Sequence, residues 1–390
     1  MKIGLVSPYN IFRPGGVQTL VFAQYDELKK RGHDVKIIAP RPKVHSIDHG
    51  SKEDIILVSE CMPVNTPLHT MVDLTLQVDR EELQRMLDKE KFDILHVNEP
   101  WVPRMPMLLL ELSKTHNIAT FHAKLPEGSL NKTFEKAISP YTKQVFKHLD
   151  YMTAASNAAA EHVRSLAEKL NERIKVEVVP CGIDLKLFDP TTVKPIAKYE
   201  DDIKTILYLG RLEKRKGTIY LIKAYEQLIK DHSDVRLLIA SDGHKREVLE
   251  NYVDTHELPR VEFLGFVSDD EKRRLLKSAD LYCAPSLYGE GFGVVLLESM
   301  AMDVVTVCGD NSGYTAVMTG KGSLSLVNPR STGDFSRRLE LMLYDNDVRT
   351  MWREWAANEV KQYDYRKIVD RYEKIYEEML QHDKAHARTA

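Results

Sequence analysis

Short apolar runs alternate with longer amphipathic stretches along most of the chain, and the alternation starts twice. In the first half, Lys2–Ser7, Asp34–Ala39, Ile94–Val97, Ala119–Phe121, Tyr151–Ala154 and Val176–Val179 read as buried strands. Helical spacing of apolar residues marks Val17–Lys30, Glu81–Lys89, Met107–Thr115 and Ala158–Leu170 between them. In the second half, the strands are Thr205–Leu209, Val235–Ala240, Val261–Leu264, Leu281–Ala284 and Val304–Val307. Helices such as Thr218–Lys230, Lys245–Thr255, Asp270–Lys277 and Val294–Met302 separate them. Near-continuous apolar strands alternating with helices predict parallel sheets covered on both faces. Two such runs predict an α/β chain of two doubly wound, Rossmann-like domains.

The stretch from Pro180-Cys181-Gly182-Ile183-Asp184 to Phe188-Asp189-Pro190 has turn chemistry and little periodicity, which places the linker there. The domains then run 1–183 and 184–364. The final segment, Tyr365–Leu380, reads as a charged amphipathic helix expected to pack back on the first domain. A length of 390 residues is too great for one ordinary core and agrees with this division. A net charge of −3 gives no global electrostatic case for nucleic acid. Cys61, Cys181, Cys283 and Cys308 are scattered without the paired spacing of a zinc site or a disulfide framework, which suits a reducing cytoplasm. The first apolar stretch is too short and too quickly broken for a signal peptide. No apolar run reaches transmembrane length, so any membrane contact is expected to be peripheral, at the inner face of the cytoplasmic membrane.

In open α/β sheets, ligands sit beyond the carboxyl ends of the strands. The stretch 289–301 lies at such an end. Glu290 falls on the loop and Glu298 about two turns along the following helix. Between them, Phe292 and Gly293 offer backbone N–H groups at a helix start, which can hold an anion. A diphosphate flanked by polyhydroxyl rings fits this layout, because carboxylates accept from hydroxyls. A surface loop with an ordinary helix-start charge would look the same in isolation. Pro14-Gly15-Gly16-Val17-Gln18 is a glycine turn opening a helix, and by itself reads as a plain turn. A lone histidine ends the strand Ala119–Phe121 at His122, where a structural role is the commoner one. Gly210-Arg211 and Glu213-Lys214-Arg215-Lys216-Gly217 follow another strand and could clamp a diphosphate, or form a solvated charge cluster.

Together these residues resemble the retaining GT-B glycosyltransferases of family 4, over nearly the whole chain. The resemblance rests on Pro14-Gly15-Gly16-Val17, Thr120-Phe121-His122, Gly182-Ile183-Asp184 with Phe188, Gly210-Arg211 with Arg215-Lys216-Gly217, and Glu290 with Glu298. Cys181 stands where the family often has asparagine. Within the family, Ser7-Pro8-Tyr9, Leu95-His96-Val97-Asn98-Glu99-Pro100, Tyr282-Cys283-Ala284-Pro285 and Phe263-Leu264-Gly265 with Val267, Asp269 and Lys272 are similar to bacterial phosphatidylinositol mannosyltransferases.

This resemblance implies two domains facing a cleft, a nucleotide-sugar donor mainly on the second, and an acceptor on the first. Arg211 and Lys216 would neutralise the leaving diphosphate, with backbone donors from Phe292 and Gly293. Glu290 would hold sugar hydroxyls and Glu298 the ribose, while His122 and Gly16 would close the sugar site. Val267, Asp269 and Lys272 would lie at guanine, and Gln18 and Asn65 at the acceptor. No metal or cofactor is implied. The expected reaction is mannosyl transfer from GDP-mannose to a lipid such as phosphatidylinositol. The alternative is a UDP-glucose or UDP-N-acetylglucosamine transferase acting on a diacylglycerol lipid or a soluble cyclitol phosphate. Val64 stands where an aromatic residue is expected, and Asp79–Lys91 mixes both charges, so the acceptor side departs from the pattern.

A nicotinamide dehydrogenase would need a Gly-x-Gly-x-x-Gly turn, which Pro14-Gly15-Gly16 does not supply. An epimerase and a non-catalytic sugar-nucleotide binding protein share the architecture. The second lacks a reason to keep both glutamates with Arg211 and Lys216. A last feature is the segment 130–149. Lys132, Lys136, Lys143 and Lys147 fall on one side of a helical projection, with Leu130, Phe134, Ile138, Tyr141, Val145 and Leu149 opposite. That predicts peripheral contact with an anionic membrane. A helix packed on its own sheet has the same pattern, and Pro140 interrupts it.

Overall fold

The computed structural model describes residues 1–13, 15–43, 52–65, 71–75, 77–122 and 139–387. The chain divides into two units, Met1–Gly182 with Tyr365–Ala390, and Ile183–Asp364.

In unit 1 the strands are β1 (Lys2–Val6), β2 (Asp34–Arg41), β3 (Ile55–Asn65), β4 (Met71–Thr75), β5 (Ile94–Asn98), β6 (His116–Phe121), β7 (Tyr151–Ala154) and β8 (Val176–Val178). They form one sheet in the order β4-β3-β2-β1-β5-β6-β7-β8. All pairs are parallel except β3–β4. Alternate residues of β1 enter two different cores. Ile3 and Leu5 pack with Val21, Tyr25 and Leu28 of helix α1 (Gly16–Lys30). Val6 packs with Leu83 and Met86 of α2 (Arg80–Glu90) and Leu109 of α3 (Met105–Leu112). Burial on both faces is why these strands read as continuous apolar runs. The β3–β4 pair was not among the expected strands. Its apolar pattern is broken by Ser59, at φ +51, by Glu60 and by Pro63.

Helix α4 (139–147) precedes β7, and α5 (Asn157–Lys169) follows it. After unit 2 has been built, the chain returns as the long final helix (Tyr365–Ala387). Ile368, Val369, Tyr372, Ile375, Tyr376 and Met379 repeat at helical spacing and join the α1 side of the unit 1 core. Its attachment is also polar. The Tyr376 hydroxyl lies 2.6 Å from Nδ1 of buried His96, whose Nε2 lies 2.6 Å from Thr120 Oγ1. Burial lowers the His96 pKa to about 3, so the ring is neutral and serves this network as donor and acceptor. Gly182 makes the return tight, since a Cβ there would sit 2.4 Å from the Tyr365 ring.

Unit 2 holds β9 (Lys204–Leu209), β10 (Val235–Ala240), β11 (Val261–Phe263), β12 (Leu281–Ala284), β13 (Val305–Gly309) and β14 (Leu326–Val327). They form a second parallel sheet, β11-β10-β9-β12-β13-β14. Its helices include α6 (Thr218–Leu228), α7 (Arg246–Thr255), α8 (Asp269–Ser278), α9 (Val294–Ala301) and the short α10 (Ser312–Thr315). Two helices outside the expected set, α11 (Thr332–Tyr344) and α12 (Asn346–Glu359), bury Phe335, Leu339, Met342 and Trp352. Strand order reverses between β1 and β5 in unit 1, and between β9 and β12 in unit 2. The loops leaving those strands diverge, and the crevice between them is where ligands bind in such sheets.

Candidate active site

The reversal point of unit 2 brings together two loops, one after β9 and one after β12. The first contains Arg211 and a single 3-10 turn, Lys214–Lys216, and ends at Gly217 in the left-handed region, φ +70. Only glycine fits there, because a Cβ would lie 2.1 Å from the Pro285 carbonyl oxygen. That close approach lets Leu287 N donate to Arg215 O at 2.8 Å. The two loops therefore lie against each other, and their charged side chains meet.

Glu290 Oε1 accepts from Lys216 Nζ at 2.8 Å and from Arg215 Nη1 at 3.0 Å. Arg215 Nε also donates to Glu213 Oε2 at 3.0 Å, and Arg211 Nη1 lies 3.2 Å from Glu213 Oε1. Three cations thus share two carboxylates, leaving a positive balance. Burial alone would raise the Glu290 pKa, but Lys216, Arg215 and a hydrogen bond from Ser286 together hold it below the ordinary value. Glu290 is therefore an ionised acceptor at neutral pH. Half of the Arg211 side chain is exposed, against 15% for Lys216, so Arg211 presents the more open cation.

Behind Glu290 the backbone is clamped. A Cβ on Gly313 of α10 would sit 2.3 Å from the Glu290 carbonyl oxygen. Asn311 caps α10 by accepting from Gly313 N and Tyr314 N, and its amide donates to Ser286 O at 2.9 Å. Helix α9 begins at Gly293 with no side-chain cap and no acidic residue in its first turn. Its uncapped amides favour an anion. The Phe292 side chain is buried against Tyr363, so only its backbone is left for a ligand.

Glu298, on α9, accepts from Lys272 Nζ of α8 at 2.9 Å, and the same ammonium lies 3.3 Å from Asp269 Oδ1. The Phe188 ring lies 5.3 Å from Lys272 Nζ. Burial lowers Lys272 and raises Glu298. The pair overcomes burial at Lys272, which ends above its ordinary value, but not at Glu298, which also ends above its own. The sequence put Lys272 at a base and Glu298 at a ribose, and the structure joins the two in one ion pair. Asp269 is the exposed first residue of α8, after a capping box of Ser268 and Glu271. Val267 is half-buried in the loop before it.

In unit 1, the loops after β5 and β6 carry Asn98, Glu99 and His122. Glu99 adopts φ +50, and its carboxylate accepts from His122 N at 3.0 Å. Asn98 Nδ2 donates to Val6 O, so Asn98 Oδ1 is the atom that faces His122 Nε2 at 2.8 Å. Nε2 must then carry the proton, and Nδ1 is a bare acceptor. Nδ1 is buried and has no hydrogen-bond partner among the described residues. Burial lowers the His122 pKa to about 4, which keeps the ring neutral.

At the reversal point, α1 opens at exposed Gly16 with no side-chain cap, and a Cβ there would meet nothing within 4 Å. Gln18 is turned onto its own loop, donating to Asn10 O at 3.2 Å. Asn65 ends β3, but its side chain lies outside the description, as do Pro14 and residues 130–138 of the segment 130–149. The described part of that segment faces inward. Val145 is fully buried and Tyr141 donates to Val102 O at 2.9 Å. Lys143 and Lys147 remain exposed.

Sequence reasoning named the parts of unit 2 but not their coupling. Gly313 carried no signal of its own, Asn98 entered only as one residue of Leu95–Pro100, and Glu213 and Arg215 were only charges in a cluster. Two doubly wound units, each with polar loops at its own strand-order reversal, have the architecture of GT-B glycosyltransferases. Residues 14–187 match the family model described as Glycosyltransferase Family 4, and residues 191–359 match Glycosyl transferases group 1. The chain is 30% identical over 325 residues to a phosphatidyl-myo-inositol mannosyltransferase of Propionibacterium freudenreichii, covering 82% of this chain and 80% of that one. It is 29% identical over 381 residues to the protein of the same name from Mycolicibacterium smegmatis, covering 97% and 94%. A glycosyltransferase structure from Rickettsia africae superimposes with a TM-score of 0.72 at 20% identity, over 97% of this chain and 98% of the other. The chain belongs to glycosyltransferase family 4. It is a hexosyltransferase, working between a nucleotide-sugar donor and an acceptor.

Proposed function

We propose that the enzyme transfers mannose from GDP-mannose, with retention, to a hydroxyl of a phosphatidylinositol-type lipid. The observation that carries the transfer chemistry is the Arg211–Glu213–Arg215–Glu290–Lys216 cluster at the reversal point of unit 2. Mannose and the lipid acceptor rest on the names of the relatives that cover most of the chain.

In this reading the diphosphate lies between Arg211, Lys216 and the uncapped start of α9. Charge grows on the leaving phosphate as the glycosidic bond breaks, and fixed cations there lower the barrier directly. Lys216 touches both the sugar-binding carboxylate and the phosphate position, which ties sugar placement to leaving-group stabilisation. Two cationic partners draw the Glu290 charge away from solvent and weaken it as a nucleophile. Its role is then to accept from sugar hydroxyls. The acceptor oxygen bonds to the anomeric carbon on the face the diphosphate leaves, and its proton passes to that phosphate.

GDP is expected to raise the melting temperature more than UDP does, and Asp269→Ala is expected to erase the difference. Asp269 is exposed and can accept from the guanine N1 and N2 positions, which uracil lacks. Thermal shift with both nucleotides checks it. A larger shift with UDP would favour the UDP-glucose reading.

The Lys272–Glu298 pair gives a pH test. Lys272 is the cation facing Glu298, while Asp269 and Tyr282 face it without favouring its charge. Removing Lys272 takes away what opposes burial, so Glu298 protonates over a higher pH range. A protonated carboxyl is a poorer acceptor for a ribose diol. Lys272→Met is therefore expected to bind GDP more weakly as pH falls, in a range where the native enzyme is unaffected, and Lys272→Arg is expected to restore the native profile. Calorimetric titrations across pH measure this, and parallel profiles for native and Lys272→Met would refute it.

A further inference from the structure

We propose that Asp73, on β4, is a positioning residue for the acceptor. Its carboxylate latches the loop between β1 and α1 to the antiparallel β3–β4 pair, and so sets the side chain of Gln18. This role rests on the proposed function, with the acceptor taken by unit 1, and adds to it the residue that aligns that side of the reaction.

Residues 7–13 leave β1 at the strand-order reversal without forming helix or strand. Ile11 anchors them in the core below. Their polar contacts converge on Asn10. Its side-chain oxygen accepts from Phe12 N at 3.1 Å. Its backbone oxygen accepts from Arg13 N at 3.3 Å and from Gln18 Nε2 at 3.2 Å. Its amide donates to Asp73 Oδ2 at 2.9 Å, and Arg13 Nη1 donates to Asp73 Oδ1 at 3.0 Å. One carboxylate thus uses both oxygens on donors that lie 63 and 60 positions away in sequence. Such charge-assisted bonds are stronger than neutral ones and fix orientation.

The latch joins the two places from which acceptor residues were expected. Asp73 pairs with Pro63, two positions along from the Asn65–Met71 pair that ends β3. On the other side, Asn10 O is the described partner of Gln18 Nε2. The rest of the Gln18 amide fills space that a side chain on Gly15 would need, since a Cβ there would lie 2.4 Å from Gln18 Oε1. Gln18 is therefore held by Asn10, and Asn10 by Asp73. The Asp73 side chain is 14% exposed, against 47% for Arg13, so the carboxylate is turned into the loop and the arginine covers it. Arg211, Lys216, Glu290 and Glu298 all lie in unit 2, so the latch bears on the acceptor and leaves nucleotide binding alone.

The test compares the full-length native chain with Asp73→Ala, Arg13→Ala and the double variant. The acceptor is phosphatidylinositol vesicles or a soluble cyclitol phosphate, whichever the native enzyme uses. Asp73→Ala is expected to raise the acceptor KM about tenfold, as for the loss of a hydrogen bond to a charged group. Turnover at saturating acceptor and the GDP-induced thermal shift should stay close to native. Arg13→Ala should act in the same direction and less strongly. The double variant should be no worse than Asp73→Ala, because the two substitutions remove one shared contact. Asp73→Asn keeps an oxygen for Asn10 but no charge for Arg13, so it should fall between native and Asp73→Ala. It also carries the test if Asp73→Ala fails to fold. Amide hydrogen exchange over residues 8–19, measured without substrate, should quicken in the Asp73 variants and not in unit 2. That measurement involves no acceptor, so it separates failure of the latch from failure of the lipid reading. Native exchange over residues 8–19 in the Asp73 variants overturns the proposal. So does faster exchange with an unchanged acceptor KM, which leaves Asp73 a purely structural role. Additive effects of Arg13→Ala and Asp73→Ala overturn it as well, because Arg13 would then act on the acceptor independently.

Discussion

Lys216→Ala is expected to reduce turnover by about a hundredfold or more, with the fold intact. Lys216 is 15% exposed and donates to Glu290 at 2.8 Å, and the proposed function puts the leaving diphosphate and the sugar hydroxyls at this contact. Removing it takes away fixed positive charge at the atom where negative charge develops. The structural cost is contained, because Arg215 still donates to Glu290 at 3.0 Å and the carboxylate is not left alone. Arg211→Ala is expected to act in the same direction on the more open side of the site. Steady-state kinetics with melting curves separate loss of chemistry from loss of fold. Near-normal turnover in both variants would remove the diphosphate assignment.

Gly313→Ala is expected to cost activity without altering any group that touches substrate. The added Cβ would lie 2.3 Å from the Glu290 carbonyl oxygen and 2.9 Å from its Cβ. Gly313 lies outside the left-handed region, so the effect is steric. The neighbour that must give is the Glu290 backbone, which is also tied through Arg215 to Gly289 O. A shift approaching 1 Å at a positioned group can cost on the order of a hundredfold in rate. The expected signature is a fall in kcat, with the GDP-induced thermal shift largely kept. If activity is native-like, the loop tolerates displacement and the placement of Glu290 is not critical.

How far the chain could be read depended on whether a signal was local. Strands such as Lys2–Val6 and Leu281–Ala284 were legible because burial on both faces leaves uninterrupted apolar runs. The β3–β4 pair was not, because Ile55–Asn65 changes partner along its length. Its first half pairs with β2 in parallel and its second half with β4 antiparallel. Helices α11 and α12 did carry a readable pattern, with Asp345 as an N-cap and Phe335, Leu339, Met342 and Leu343 at helical spacing. The charged residues of the site were legible one by one, because they follow strands. Their pairing was not, since Lys216 and Glu290 lie 74 positions apart and meet only when β9 and β12 become neighbours. Lys272 shows the same limit. Its partner Glu298 is 26 residues away, on a helix whose inward face no sequence spacing reveals.

The most direct measurement is product formation from a panel of donors. The enzyme is incubated with labelled GDP-mannose, UDP-glucose or UDP-N-acetylglucosamine, each with phosphatidylinositol vesicles or a soluble cyclitol phosphate. The account predicts label from GDP-mannose in a lipid product whose anomeric linkage keeps the donor's α configuration. Transfer from UDP-glucose but not from GDP-mannose, or label found only on the soluble acceptor, would contradict it.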